Sequence, residues 1–251
     1  MQHPEREPER SDEKSPDRVE VRGRDRSYQL SQDQCKTLRT VGTFRTVNAN
    51  DMPERDVKSL IAAGLLEKMT VPKRDWTQLE VLVVSKEGER CLASQHAPDD
   101  PQRYHSGLVK VRELEHDAAI YPAFQEATKD IERAGGTVQR VVLDYEFKSV
   151  INAEMNRGGS VSGEAREERR AQLAKDFDLE VVDGKLPLPD LRIEYLDANG
   201  ELHHEDIEIV SRHYHGAHLA GKTAAGFKLV GGNRGGGNSA VPDHFDKGLF
   251  R

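Results

Sequence analysis

Cysteine is nearly missing from this sequence. Cys35 and Cys91 are the only two in 251 residues, each in a stretch of helical pattern, with no CxxC pair and no Cys/His cluster at zinc spacing. A disulfide framework and a structural zinc are therefore not expected. Long apolar runs are missing too: nothing approaches the roughly 20 residues that cross a bilayer. The opening MQHPEREPER likewise has no apolar segment of the signal-peptide kind. The expectation is a soluble, cytoplasmic protein without membrane contact. No heptad seam runs along the chain, so a coiled-coil dimer has no basis, although a homodimer of another kind stays open. Glycines recur between 231 and 237, but a Walker phosphate loop and nucleotide hydrolysis are not expected.

What is present is charge. Charged residues make up 32% of the chain against 35% hydrophobic, with a net charge of -7. That sum argues against coating nucleic acid by bulk attraction, yet it hides a gradient. Residues 1–27 carry 7 basic and 8 acidic side chains, residues 28–95 carry 10 and 9, and the remainder carries 20 and 27. The acidic excess belongs to the second half.

Residues 1–27 are dense in mixed charge and poor in apolar residues, and they read as a disordered arm. From Tyr28 the pattern turns helical. Ser31 caps a helix through Gln34, carrying Leu38 and Val41 to a stop at Gly42. Asn48 precedes a short turn, and Pro53 opens a further helix with Val57, Leu60 and Ile61 at helical spacing until Gly64. Two strands, Leu65 to Val71 and Leu79 to Val84, flank a basic tip at Lys73-Arg74, and Ser85 caps a closing helix.

Helix, short helix, helix and hairpin in that order resemble a winged-helix domain over 28–95. The resemblance is carried by LIAAGLLEKMTV and LEVLVVSKEGERCL, with breaks at Gly64-Leu65-Leu66 and Ser85-Lys86-Glu87-Gly88. It implies a helix in the major groove of double-stranded DNA and a wing along the backbone, with Arg55, Lys58, Lys73 and Arg74 as the contacts. Winged helices also dock proteins, and a nearly balanced charge implies modest affinity for DNA.

A linker is expected over 96–104, then a second domain over 105–230 and a glycine-rich tail over 231–251. In the second domain a helix runs from Asp117 to Ala134, interrupted near its start by Pro122, and a strand runs from Thr137 to Tyr145. Helices follow over Phe147 to Met155 and Glu164 to Phe177, and a short strand over Leu179 to Val182. A hairpin, Leu191 to Leu196 with Leu202 to Val210, leads to a last helix over Ala217 to Phe227. The fold class is α/β (α+β): an N-terminal winged helix followed by a mixed-sheet domain.

The hairpin carries the chemistry. Pro189-Asp190 opens its first strand; Asp206, Glu208 and Val210 share one face of its second, with Ile207 and Ile209 on the other. Two such strands bring Asp190 and Glu208 together, and paired carboxylates suit Mg²⁺ and the activation of water. Pro-Asp, a hairpin and an acidic residue resemble the PD-(D/E)xK nucleases. Their signature puts a lysine two positions after the second acid, where this chain has Val210; some members draw it from the following helix, which here offers Lys222.

The whole order, from helices through hairpin to Lys222, resembles the replication-relaxation proteins of plasmids and integrative elements. That resemblance implies a DNA-binding protein of a mobile element with a Mg²⁺-dependent endonuclease domain. Asp190 and Glu208 would hold metal, and Lys222 would orient water or stabilise phosphate charge. The other outcome is a noncatalytic regulator, or an accessory replication or conjugation protein with its own partner protein, built on a degenerate nuclease fold. Glu113, Glu115, His116 and Asp117 form a second cluster, from which Glu115 or Asp117 would add a metal ligand, while Asp117 also suits a helix cap. Asp144 and Glu146 are expected at a strand end nearby. His203, His204, His213, His215 and His218 lack the pattern of a known ligand set, and hydrogen-bonded or phosphate-facing roles suit them better.

Overall fold

The first ordered element falls inside the stretch expected to be a disordered arm. In the computed structural model, which describes residues 18–73, 77–107, 110–157, 163–210 and 216–231, strand β1 (Arg18–Arg22) pairs antiparallel with β2 (Ser27–Ser31). The arm boundary at residue 27 is thus too late. Val21 is fully buried, and Tyr28 and Leu30 join it in the core. Arg22 N–H donates to Ser94 Oγ at 3.1 Å and the Tyr28 hydroxyl donates to Glu87 Oε1 at 3.2 Å, so a mostly charged strand is held by what it lies against. Residues 1–17 lie outside the described residues.

Helix α1 (Gln32–Phe44) begins as its sequence demands: Ser31 Oγ accepts from Gln34 N–H, and the Gln34 side chain returns to Ser31 N–H. Gly42 does not stop it. A Cβ there would come within 2.7 Å of Leu92, so this glycine marks a close helix–helix approach. After β3 (Val47–Asn48) and a 3₁₀ turn over Ala49–Asp51, Pro53 leads into α2 (Glu54–Ala62). Gly64, at φ +75, turns the chain into β4 (Leu66–Pro72), which pairs with β5 (Gln78–Val84) in the sheet order β3-β5-β4. Ser85 caps α3 (Lys86–Gln95) through Gly88 N–H.

The expected linker is stitched down. Gln102 accepts from Val141 N–H (2.9 Å) and donates to Val141 C=O (3.1 Å), while His105 N–H donates to Gly42 C=O and Gly107 N–H to Val84 C=O. Polar side chains mark it as a connector by composition, but Gln102 ties it to the second half and the residues just after it bond back to the first.

Helix α4 (Leu114–Arg133) runs through Pro122 without a break and starts three residues before expectation. Leu114, Ala118, Ile120, Ala123, Ala127 and Ile131 are all buried along it, and that packing outweighs the hydrogen bond the proline removes. Strand β6 (Thr137–Leu143) is shorter than expected: Asp144 and Glu146 open α5 (Asp144–Asn156), where Glu146 accepts from Leu143 N–H. Helix α6 (Gly163–Asp176) follows, and of the strand expected at Leu179 to Val182 only a bridge between Val182 and Lys185 forms.

Strands β7 (Leu191–Leu196) and β8 (Leu202–Val210) form the expected hairpin. Beyond them α7 (Gly216–Ala224) crosses over to β9 (Lys228–Gly231), a strand the sequence did not announce. The sheet order is β6-β7-β8-β9, antiparallel except for the parallel β8–β9 pair. Among the described residues the chain therefore holds seven α-helices and three sheets, a mixed α+β fold.

One apolar cluster spans both halves, from Val21 and Leu38 through Ile120 to Leu191 and Ile209. A second, with Phe147, Leu173 and Phe227, fills the other face of the four-stranded sheet. A third joins Val71, Leu79 and Val81 of the β4–β5 hairpin to Leu114 and Ala118 of α4, so one face of that hairpin is covered.

Candidate active site

The register of the β7–β8 hairpin makes the site. Leu191 faces Ile207 and Arg192 faces Asp206, so one step further along the same ladder Asp190 stands opposite Glu208. Cross-strand neighbours of this kind have side chains on the same face, with Cβ atoms about 5 Å apart. Ile209 N–H donates to Asp190 Oδ2 at 2.9 Å, and Asp144 N–H donates to the Asp190 carbonyl, which fixes this corner of the sheet.

Glu208 is 1% exposed, and a carboxylate so buried must be paired or coordinated. Lys222 meets it: its ammonium donates to Glu208 Oε2 and to the Leu188 carbonyl, both at 2.7 Å. The three residues proposed as catalytic from the sequence thus converge, although Lys222 comes from α7 and Val210 from the strand where the signature lysine would stand.

His116 of α4 adds a fourth member. Its Nε2 lies 3.2 Å from Asp190 Oδ1, and the hydrogen bond to Asp190 holds its pKa above the ordinary histidine value against the opposing cost of burial. Next to it, burial pushes the Asp117 carboxyl up to about 6, while the positive charges of His116 and Arg45 pull it down. Asp117 lies in the first turn of α4, whose N-cap is Glu113, so it is not the cap but a neighbour of His116. Glu115 is exposed and takes no part. Asp144, expected at a strand end, instead pairs with Lys148 one helical turn on, and Glu146 is engaged by Arg140 at 3.2 Å and Arg103 at 3.6 Å.

Asp190 and Glu208 offer hard oxygen donors on adjacent strands, and Mg²⁺ commonly takes one or two carboxylates, completing its shell with water and substrate phosphate. Two carboxylates on adjacent strands are the kind of donor such an ion would take. The larger set expected from the sequence, with Glu115 and Asp117, is not assembled. Among the described residues the group of three whose ligand atoms lie within 4.8 Å of one another is Asp197, Glu201 and His203, at the exposed hairpin turn.

The stretch Gly216-Ala-His-Leu-Ala-Gly221-Lys222-Thr223 does satisfy GxxxxGK[ST], contrary to expectation. A phosphate cradle needs a loop whose N–H groups turn inward. Here the stretch lies within α7, and Lys222 is committed to Glu208 and Leu188, so the pattern does not form that cradle.

Of the DNA-contact candidates, Arg55 and Lys58 are exposed on α2, Lys58 in an exposed pair with Glu54 at 2.6 Å, and Lys73 is partly exposed at the hairpin end. Arg74 lies outside the described residues. So do His213 and His215, the His218 side chain and the tail beyond 231. His203 and His204 sit on β8 near Asp197 and Asp178 respectively, remote in register from Asp190. A separate open groove of about 1010 Å³ runs between α1 and α4, lined among others by Lys36, Arg39, Phe44, Tyr121, Phe124 and Lys129.

Sequence reasoning did not single out Arg45, and it named His116 without its partner. Neither carried a signal in the sequence, because Tyr145 and Asp190 are far from them along the chain. No protein-family model matches the chain, and comparison with curated proteins and with solved structures gives no match. Among the described residues no helix is long and apolar enough to cross a membrane.

Proposed function

We propose that this protein binds double-stranded DNA through a winged-helix module in its first half and nicks or cleaves it with a Mg²⁺-dependent site of the PD-(D/E)xK kind in its second. The observation that carries this reading is the Lys222–Glu208 contact of 2.7 Å with Asp190 opposite on the neighbouring strand. Topology supports it: a helix, three antiparallel strands with α5 and α6 inserted between the first two, then a helix crossing to a parallel fourth strand. For the first half, support comes from the order α1, β3, α2 and the β4–β5 hairpin, with Arg55 and Lys58 on the solvent face of α2.

Asp190 and Glu208 would hold Mg²⁺, which when bound supplies a Lewis acid for a phosphoryl oxygen and a more acidic water. Lys222 offsets the negative charge of the deeply buried Glu208 and places a positive charge where phosphate charge develops. The Ile209 N–H and His116 fix the orientation of Asp190. A protein of a plasmid or other mobile element, acting in its replication or transfer, is the setting this combination suits.

Incubation of the purified chain with supercoiled plasmid and Mg²⁺ should give nicked or linear product, lost in Asp190→Ala and Glu208→Ala. Intact plasmid with Mg²⁺ and with Mn²⁺ would sink the enzymatic reading. The second reading, a noncatalytic DNA-binding regulator, draws on the same contacts: both carboxylates are already engaged by cationic side chains. It predicts that Arg55→Ala with Lys58→Ala weakens binding while Asp190→Ala changes nothing.

A further inference from the structure

Arg45 belongs to the first half of the chain but lies against Tyr145 of the second. It is the central residue of a tight turn that ends α1: φ is +64 and ψ is -41, and Thr46 N–H donates to Phe44 C=O at 2.6 Å. This three-residue turn is the rarer, strained form, and a residue with a side chain adopts it only where its surroundings insist.

The surroundings are clear. Phe44 is wedged against two rings of α4, with centroids 5.0 Å from Tyr121 and 4.9 Å from Phe124. Asp117 lies one helical turn before Tyr121 on that same face, so anchoring Phe44 brings the next residue toward the start of α4. The Arg45 guanidinium then lies over the Tyr145 ring, 4.7 Å from its centroid. Tyr145 follows Asp144, whose N–H is bonded to the Asp190 carbonyl. Stacking occupies one face of the guanidinium and leaves its N–H fork uncommitted. Among the described residues Arg45 makes no ion pair and no side-chain hydrogen bond, although Asp117 is near enough for Arg45 to lower its pKa.

A fixed guanidinium with no ion pair among the described residues, stacked on the helix whose first residue is bonded to Asp190, is complementary to a phosphodiester. We propose that Arg45 is a phosphate-binding residue contributed by the DNA-binding half to the Asp190–Glu208 site, gripping the backbone of the strand that enters it. The strained turn points the fork, Tyr145 holds its plane, and bidentate hydrogen bonding recognises the phosphate. The continuous core and the Gln102 and His105 bonds keep the two halves in one relative position, as such a shared site requires. The proposal rests on the nuclease reading for its role in cleavage but not for its phosphate contact.

Two readouts on the full-length chain test it. The first is the salt dependence of binding to a fluorescein-labelled DNA duplex in EDTA, and the second is Mg²⁺-dependent nicking of supercoiled plasmid with protein in excess. Arg45→Ala should reduce the slope of log affinity against log salt by about one. It should slow nicking by about 100-fold, with Arg45→Lys recovering only part because a point charge replaces the fork. Arg45→Gly removes the guanidinium while relieving the positive φ, so it should melt no lower than wild type and still show both losses; that separates phosphate binding from folding. An unchanged slope in Arg45→Gly, or nicking within threefold of wild type where Asp190→Ala has none, overturns the proposal. Nicking that survives in Asp190→Ala overturns the nuclease reading instead, and the salt slope alone then decides whether Arg45 binds phosphate.

Discussion

The two halves bury polarity in different ways. In the first, the buried polar residues are Thr37, Thr46, Asp56 and Ser85, three of them hydroxyls, and Ser85 does a helix cap's work. In the second they are Glu146, Asp190, Arg192 and Glu208, all ionisable. Ser85 is bonded while the Thr46 hydroxyl finds no partner among the described residues, yet a neutral hydroxyl costs far less on burial than a charge, which costs several kcal/mol unless paired. A fold that needed only stability has little reason to carry four of them. Arg192 shows how one is held: it chelates Asp206 at 2.6 and 2.7 Å, lies over the ring of Phe147 at 5.1 Å, and ties down the carbonyls of Phe177 and Asp178. The first half buries mostly hydroxyls; the second holds charge in place.

The sharpest way to break that contrast is Lys222→Met, which strips Glu208 of its lysine in a nearly dry setting. A destabilisation of about 3–5 kcal/mol is expected by denaturant titration. Adding Glu208→Leu should recover most of it, and a single mutant as stable as wild type would show that Glu208 is not held by this pair.

A smaller effect tests the seam between the halves. His105 packs edge-on against Tyr145 at 4.6 Å, and burial, with the charges of Arg45 and Arg103, presses its pKa down to about 4. A histidine with a lowered folded pKa leaves the unfolded chain binding more protons, so stability is full above the unfolded value near 6.5 and falls as pH drops toward 4. His105 should cost about 2 kcal/mol between pH 7 and pH 5. The drop should shrink by that amount in His105→Phe; an identical pH profile in the variant would show that His105 plays no part in it.

The smallest effect belongs to the exposed face of the first half. Arg55→Ala and Lys58→Ala should each weaken duplex binding by about 1 kcal/mol, uniformly across sequences if they touch phosphate, and leave the melting temperature unchanged. Lys58 loses little with its partner, since an exposed pair with Glu54 contributes under about 1 kcal/mol.

Sequence made the hairpin legible because alternation and the Asp197-Ala-Asn-Gly200 turn leave one register, and register alone sets Asp190 against Glu208. Ser31 and Ser85 announced their helices through local chemistry. Strand β1 was illegible: Val19 and Val21 stand among charges, and pairing with β2 and packing on α3 make them a strand. Strand β9 hid because four residues ending in glycine carry no period, and its partner is decided by the crossover of α7. Gly42 and Pro122 misled for a common reason, since tertiary packing overrode the local preference of each. Lys222 was found from the sequence by its place after the hairpin, whereas Arg45 was not, because the ring that orients it lies 100 residues away.

The side chain of Gln102 has a second consequence. Strand β6 is the outermost of its sheet, and outermost strands offer unpaired N–H and C=O groups to any extended peptide that comes alongside. By giving Val141 both a donor and an acceptor, Gln102 imitates one residue of a neighbouring strand and ends the row there. What fastens the connector therefore also fills one place on that open edge, where a strand from another copy would otherwise bond.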